Sequence, residues 1–458
     1  MVEAKTIPQD LDYITTDAGN SDRLIDEHGH DLRYCEPLGG WLHWSGVRWQ
    51  VDNAAVWECA RTVGKNILHE AADANDRDDA DKIWRHGKYS LSETGMRKMI
   101  QVAQKDARII VGAGLFDSDP YLLNVDNGTV DIRTWTMKNH DREDLITKLS
   151  PVRFDPEANA QRWQAFIERV LPDEEVRAYV QKALGQALTG VADEQAFYLN
   201  QGVGDNGKNT LFDTIITLMG DYADTMDIDV LMEKRNGGGA SPELAKLRGK
   251  RFVVASEADE GQRLKPGLIK RLTGDKFITA RDLYKSTMKF ERQFKLFMHV
   301  NHKPEIGDTG YAMWKRVRLI PWTVRISAQE KDRRLPYKLG QELSGILNWL
   351  LNGYAMYVDD GLEPPRAVQE ATNAYRGDMD KLAQFIEDKC VTGDVNLYVS
   401  KDSLYNAYDV WCDRSGVGTE KKRTFGQRMI EKGYDPDQQG RVNGKKVRVW
   451  TGIGLLGT

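Results

Sequence analysis

Residues 202–210 read Gly202-Val203-Gly204-Asp205-Asn206-Gly207-Lys208-Asn209-Thr210, the pattern G-x-x-x-x-G-K. That spacing suits a loop that wraps phosphate. Its glycines let backbone N–H groups turn inward around phosphate oxygens, and a helix beginning at the lysine adds the positive end of its dipole. Lys208 then meets the β- and γ-phosphates of a nucleotide as a point charge. The flanks agree. The apolar run 197–199 predicts a short buried strand, and Leu211, Ile215, Ile216 and Leu218 predict a helix beyond the loop. Such loops normally carry Ser or Thr after the lysine, with its hydroxyl on Mg²⁺. Here Asn209 takes that place and Thr210 follows, so the metal falls to the Asn209 amide oxygen or the Thr210 hydroxyl.

Three further groups stand at the ends of apolar runs. The run 252–256 ends at Glu257, where an acid downstream of a phosphate loop can act on Mg²⁺ or on attacking water. Asp259 and Glu260 follow and could share that work, but Glu257 sits where the strand ends. The run FKLFMHV ends at Asn301, whose amide could orient water or contact a γ-phosphate; His302, next to it, reads as a structural hydrogen-bonder. Arg316 and Arg318 precede and enter the apolar run of MWKRVRLIPW. An arginine supplied across an interface stabilises phosphoryl-transfer charge, and Arg316 is the better placed of the two. Between the second and third runs, ITARDLYKSTMKFERQFK predicts a basic hairpin with its tip at Lys285-Ser286-Thr287. Its Lys285 and Lys289 could grip a nucleic-acid backbone by charge without reading bases.

The elements that must hold these groups alternate between strand and helix over roughly 195–325. This predicts an α/β core with a largely parallel sheet. Upstream, Trp41, Trp44 and Trp49 flank a Ser45-Gly46 turn and predict a small hairpin. The stretch 53–107 is helical and charged, and 120–140 reads as short strands broken at Asn127-Gly128. Downstream, Leu339, Leu343, Ile346, Leu347, Leu350 and Leu351 share one helical face. With 458 residues, 40% hydrophobic and 29% charged, the chain is expected to fold into about three domains. No apolar run approaches the length of a membrane span, and the first residues lack the features of a signal peptide. A cytoplasmic protein with no membrane partner is expected, in a bacterial host. Cys35, Cys59, Cys390 and Cys412 lack the spacing of a zinc site. The net charge of −5 argues against a protein that coats DNA with its whole surface, though not against one that holds DNA in a narrow channel.

The ordered segments GVGDNGKNT, GKRFVVASEADEGQRL, KRLTGDKFITARDLYK, FKLFMHVNHKP and WKRVRLIPW resemble the superfamily 3 helicase module of the phage/plasmid and poxvirus primase-helicases. PYLLNVDNGTVDIRT, LITKLSPVRFDPEA and ALGQALTG resemble that family's flanking domain, so the likeness covers roughly residues 30–455. It implies an AAA+-like P-loop core assembled as a homo-hexamer, with ATP and Mg²⁺ between subunits and 3′ to 5′ travel on single-stranded DNA. It further implies Lys208 in the phosphate loop, Glu257 on the acidic strand, Asn301 as sensor, Arg316 as the arginine acting in trans and Lys285 on the DNA hairpin. Asn209 in place of serine and Lys315 in place of arginine depart from the pattern. Many relatives carry a primase-polymerase domain ahead of this module. None is expected here, which leaves primer synthesis to a separate protein.

The end of the chain resembles the winged-helix module common in this family. Lys421, Lys422, Arg423 and Arg428 lie near its second helix, and Lys445, Lys446 and Arg448 near a wing, in reach of a DNA backbone; a protein-docking role is the other reading. The expected organisation is a flexible arm over 1–30, a mixed α+β flanking domain over 31–190, the ATPase core over 191–360, and a linker with a winged helix over 361–458. Two other function classes fit the loop: an origin-melting initiator that uses ATP as an assembly switch, and a P-loop phosphotransferase acting on a small molecule. Strand displacement on a long fork separates the first from a helicase. Ring formation and DNA-stimulated ATP hydrolysis exclude the second.

Overall fold

The computed structural model describes residues 13–233, 242–256, 261–281, 287–308, 310–434, 438–442 and 445–456. At its centre five strands lie parallel, in the spatial order Val317–Pro321, Phe197–Gln201, Lys295–Val300, Phe252–Ser256, Ala223–Asp227. The three inner strands are largely apolar and buried, as suits a sheet covered on both faces, while the edge strand Ala223–Asp227 is mostly polar. Alternate side chains feed two cores. Tyr198, Phe252, Val254 and Phe297 pack with the helices Glu174–Gln186, Lys208–Met219 and Leu343–Asp360. Phe197, Leu199, Val253, Leu296 and Met298 pack with Pro266–Gly274 and Tyr311–Trp314.

The strand leading to Asn301 comes late in the chain, yet it is threaded between the phosphate-loop strand and the strand that precedes Glu257. The carboxyl ends of all three therefore share one edge. In an open parallel sheet that is the edge where ligands bind.

The opposite edge is lined with cations. Buried Arg251 donates to the carbonyls of Leu188 (2.6 Å) and Leu122 (2.8 Å), and buried Lys295 donates to that of Thr189 (2.6 Å). Arg292 donates to Ala192 (2.6 Å). Leu188, Thr189 and Ala192 lie just past the end of helix Glu174–Gln186, where carbonyls are unpaired and the dipole is negative. The cations find carbonyl partners there rather than carboxylates. Replacing Arg251 with alanine strands the buried Leu188 carbonyl and the part-buried Leu122 carbonyl, and a loss of about 3 kcal/mol is expected in denaturant unfolding. A loss under about 1 kcal/mol would contradict this role.

The loose arm expected over residues 1–30 is, from Asp17, a helix (Asp17–His28) capped by Thr16. Leu24 and Ile25 are buried with Val56, Val63 and Ile67 of helix Ala55–Asp73. Much of what the helix buries is polar: Asn20 donates to Ser90 Oγ (2.9 Å), and Arg23 pairs with Glu70. Hydrophobic periodicity cannot register such a face. The Trp hairpin forms as expected from Gly40–Trp44 and Trp49–Val51. Next, Leu122–Val125, Gly128–Asp131 and Thr136–Lys138 form an antiparallel sheet. Its Leu123, Val125 and Val130 join the same core as the phosphate-loop helix, so apolar packing is continuous across residue 190.

After Lys381 a separate small core gathers Phe385, Leu404, Tyr408, Phe425, Met429 and Trp450. It holds helices Lys381–Lys389, Lys401–Arg414 and Lys422–Glu431 against an antiparallel sheet of Tyr398–Ser400, Lys445–Thr451 and Gln438–Val442. Among the described residues no helix is long and apolar enough to cross a membrane.

Candidate functional site

The phosphate loop joins the strand Phe197–Gln201 to the helix Lys208–Met219. Gly207 has φ +85°, and a Cβ there would come within 2.6 Å of Val170, so only glycine fits. At Gly202 a Cβ would lie 2.4 Å from the Trp322 carbonyl. Asn206, also buried, ties the loop to itself: its amide donates to the Val203 carbonyl (2.6 Å) and its Oδ1 accepts from the Lys208 N–H (3.3 Å). Asp205 is held from outside by Lys331 (2.6 Å), and its carbonyl accepts from the Ile326 N–H (2.6 Å).

Lys208 is 3% exposed, and its ammonium donates to the Gly202 carbonyl at 2.5 Å. No carboxylate pairs with it among the described residues, and burial lowers its pKa to about 8. A buried ammonium facing only carbonyl oxygen is an unfilled demand for anion. The loop opens on a cleft of about 460 Å³ whose second wall is the segment 326–336. Lys331 and Arg333 add positive charge to it, while Phe166, Ile326, Leu335 and Pro336 give an apolar patch. Arg169 anchors the segment through Glu330 (3.0 Å). A cationic loop at a helix start beside an apolar patch fits a nucleoside triphosphate.

Sequence reasoning missed this second wall. Its signal was the charged run QEKDRRLP, which reads only as the start of a helix. His299 was also missed. Its ring stacks on Phe212 (5.3 Å between centroids, 11° between planes), and burial together with Lys208 lowers its pKa to about 4. It is therefore neutral at pH 7. Alternation along the strand from Asn301 could have found it.

Asn301 directly follows its strand and lines the cleft. Asn209 and Thr210 line it too. Glu257, Asp259 and Glu260 lie outside the described residues; Ser256, the last residue of the preceding strand, pairs in register with His299.

Arg316 is elsewhere. It precedes the strand Val317–Pro321, and its carbonyl accepts from the Phe197 N–H (2.8 Å) at the start of the phosphate-loop strand. Five residues of strand, about 16 Å, separate that position from the loop. Its guanidinium donates to Gln195 Oε1 (3.1 Å) and to the Ala312 carbonyl. Arg318 is turned onto the Lys315 (2.7 Å) and Val317 (3.2 Å) carbonyls.

The basic hairpin pairs Phe277–Arg281 with Thr287–Glu291. Lys285, at its tip, lies outside the described residues. Lys289 is exposed, 4.5 Å above the ring of Phe277. In the last unit Lys421 and Arg423 are exposed at the start of helix Lys422–Glu431, while Lys422 pairs with Asp402. Lys446 and Arg448 are exposed on their strand. Arg428, grouped with the DNA-facing cations from sequence, does not belong with them. It is largely buried, pairs with Glu420 and donates to the Gly307 carbonyl, tying this unit to the core.

Residues 21–172 match the family described as D5 N terminal like, and residues 377–437 match the family described as Poxvirus D5 protein-like. Residues 200–316, with the phosphate loop, match a family of unknown function. A protein of Acanthamoeba polyphaga mimivirus, named a putative helicase, is 30% identical over 325 residues, covering 66% of this chain and 34% of that protein. One of Frog virus 3, also named a putative helicase, is 27% identical over 319 residues, 66% of this chain and 31% of that one. One of African swine fever virus, named a putative primase, is 22% identical over 414 residues, 79% of this chain and 42% of that one. The matches thus span between about a third and two fifths of these curated relatives. The solved apo C-terminal region of NrS-1 shares the fold, with a TM-score of 0.51 at 12% identity over 92% of this chain and 95% of that one. With D5-like segments on both sides of the phosphate loop and these viral relatives along most of its length, the chain fits the D5-like primase-helicase family.

Proposed function

We propose that this chain is an ATP-driven DNA helicase serving the replication of a virus, phage or plasmid. It works as a hexameric ring and moves 3′ to 5′ on single-stranded DNA. The observation that carries this reading is the separation of Lys208 and Arg316 to opposite edges of one sheet. Such a chain can lend its arginine to the nucleotide site of a neighbour. Lys208 and the loop amides hold the β- and γ-phosphates, Glu257 draws a proton from the attacking water, and Asn301 registers the loss of phosphate. A neighbour's Arg316 takes up charge on the transferring group. Mg²⁺, if bound, would neutralise phosphate charge, with Asn209, Thr210 and Glu257 as its candidate partners. The hairpin with Lys285 and Lys289 then shifts the strand. The last unit is a winged helix whose Lys421, Lys422 and Arg423 lie against the DNA backbone. The direct test is ATP hydrolysis with and without single-stranded DNA, together with the native mass in the presence of an ATP analogue. A lone subunit with no turnover contradicts the reading.

Lys208 also makes the reading testable by pH. Phosphate favours its charged form, so binding raises its pKa from about 8. Below that pH the lysine is protonated in both states and affinity is flat. Above it the free chain has lost the proton, binding must recover it, and affinity falls by up to about tenfold per unit. Calorimetry with a non-hydrolysable ATP analogue between pH 7 and 10 measures this. A flat profile would show that Lys208 does not meet the phosphates.

A further inference from the structure

A second recess, of about 450 Å³, opens at the root of the hairpin. Phe277 and Lys289 form one wall, the loop around Gly114 forms the other, and Arg248 and Gly249 lie between them. The hairpin alternates: Ile278 and Ala280 are buried in the core, while Phe277 on the other face is 43% exposed. Two ammonium groups lie over that ring, Lys289 at 4.5 Å and Lys276 at 5.6 Å from its centroid. Arg248 gives one N–H to the Ala113 carbonyl (2.5 Å). Neither Arg248 nor Lys289 has a carboxylate within ion-pair distance among the described residues. The acids nearby are engaged, Glu291 by Lys276 (3.5 Å) and Asp117 by the Thr147 N–H (2.7 Å) and hydroxyl (2.6 Å). Lys148 lies close behind, its Cε 2.8 Å from where a Cβ on Gly249 would stand. The recess therefore holds an excess of positive charge around an exposed aromatic face. Nothing lies within 4 Å of a Cβ position at Gly112 or Gly114, which leaves room for another backbone to approach.

We propose that this recess seats one nucleotide of single-stranded DNA, its base against Phe277 and its phosphate between Arg248 and Lys289. This rests on DNA being the substrate, as read above. Base-on-aromatic stacking with cations along the backbone is how single strands are held without sequence preference. A duplex keeps its base faces stacked away and does not fit.

The test is fluorescence anisotropy of a labelled oligothymidylate with the full chain and an ATP analogue, over a salt series. Phe277→Ala is expected to weaken binding by about tenfold. The slope of log affinity against log salt should not change, and Phe277→Tyr should restore binding. Lys289→Ala should instead make that slope shallower by about 0.7. Because the Phe277 ring is exposed, the melting temperature serves as the fold control. If Phe277→Ala binds as tightly as the parent chain, the recess is not a nucleotide seat, and the helicase reading survives. If the parent chain binds no oligonucleotide at all, both fall.

Discussion

Replacing Lys208 with alanine is expected to lower ATP turnover by about 10²–10³-fold, and strand separation with it. Lys208 is the one cation inside the loop itself; Lys331 and Arg333 stand on the far wall of the cleft. Among the described residues no other cation stands where it could take over the contact with phosphate proposed for Lys208. The fold should survive the change. In the free chain the Lys208 ammonium bonds only the Gly202 carbonyl and bears the cost of burial. The variant should therefore melt no lower than the parent. Lost turnover with an unchanged melting temperature separates a chemical role from a structural one; full turnover would place the phosphates elsewhere.

Arg316→Ala should have an effect at least as large, about 10³–10⁵-fold on turnover. It should leave each chain's affinity for nucleotide nearly unchanged, because the arginine does not reach its own loop. Its present partners, Gln195 Oε1 and the Ala312 carbonyl, are weak holds that a neighbour's phosphate can outcompete. Arg318→Ala should do far less, since that guanidinium is folded back onto the carbonyls of Lys315 and Val317. Single-turnover and steady-state hydrolysis of both variants, beside nucleotide titrations, distinguish the two arginines. A larger loss in Arg318→Ala would reverse the assignment.

Four strands of the parallel sheet were legible because they are apolar runs bounded by chemical groups; the edge strand Ala223–Asp227, with two aspartates and a threonine, was not. The phosphate loop was legible because glycine and lysine spacing dictates its shape. The strand order was not. Only the fold threads Lys295–Val300 between the phosphate-loop strand and Phe252–Ser256, and so sets Asn301 beside Lys208. Helix Asp17–His28 escaped because it buries Asn20 and Arg23 through hydrogen bonds, which no hydrophobic pattern marks. Arg428 was misgrouped for a related reason: sequence registers its charge but not Glu420 beside it. The far wall of the cleft lies more than a hundred residues from the loop it faces, so only folding brings the two together.

The most direct measurement mixes the two inactive variants. In a head-to-tail ring, a Lys208→Ala chain still offers its Arg316 to a neighbour, and an Arg316→Ala chain still holds its own Lys208. Random mixing in equal amounts then rebuilds about a quarter of the seams with both groups intact. The account predicts that ATP hydrolysis, reduced about a hundredfold or more in either variant alone, rises sharply on mixing with single-stranded DNA. A mixture as inactive as its components would show that adjacent chains do not share the site.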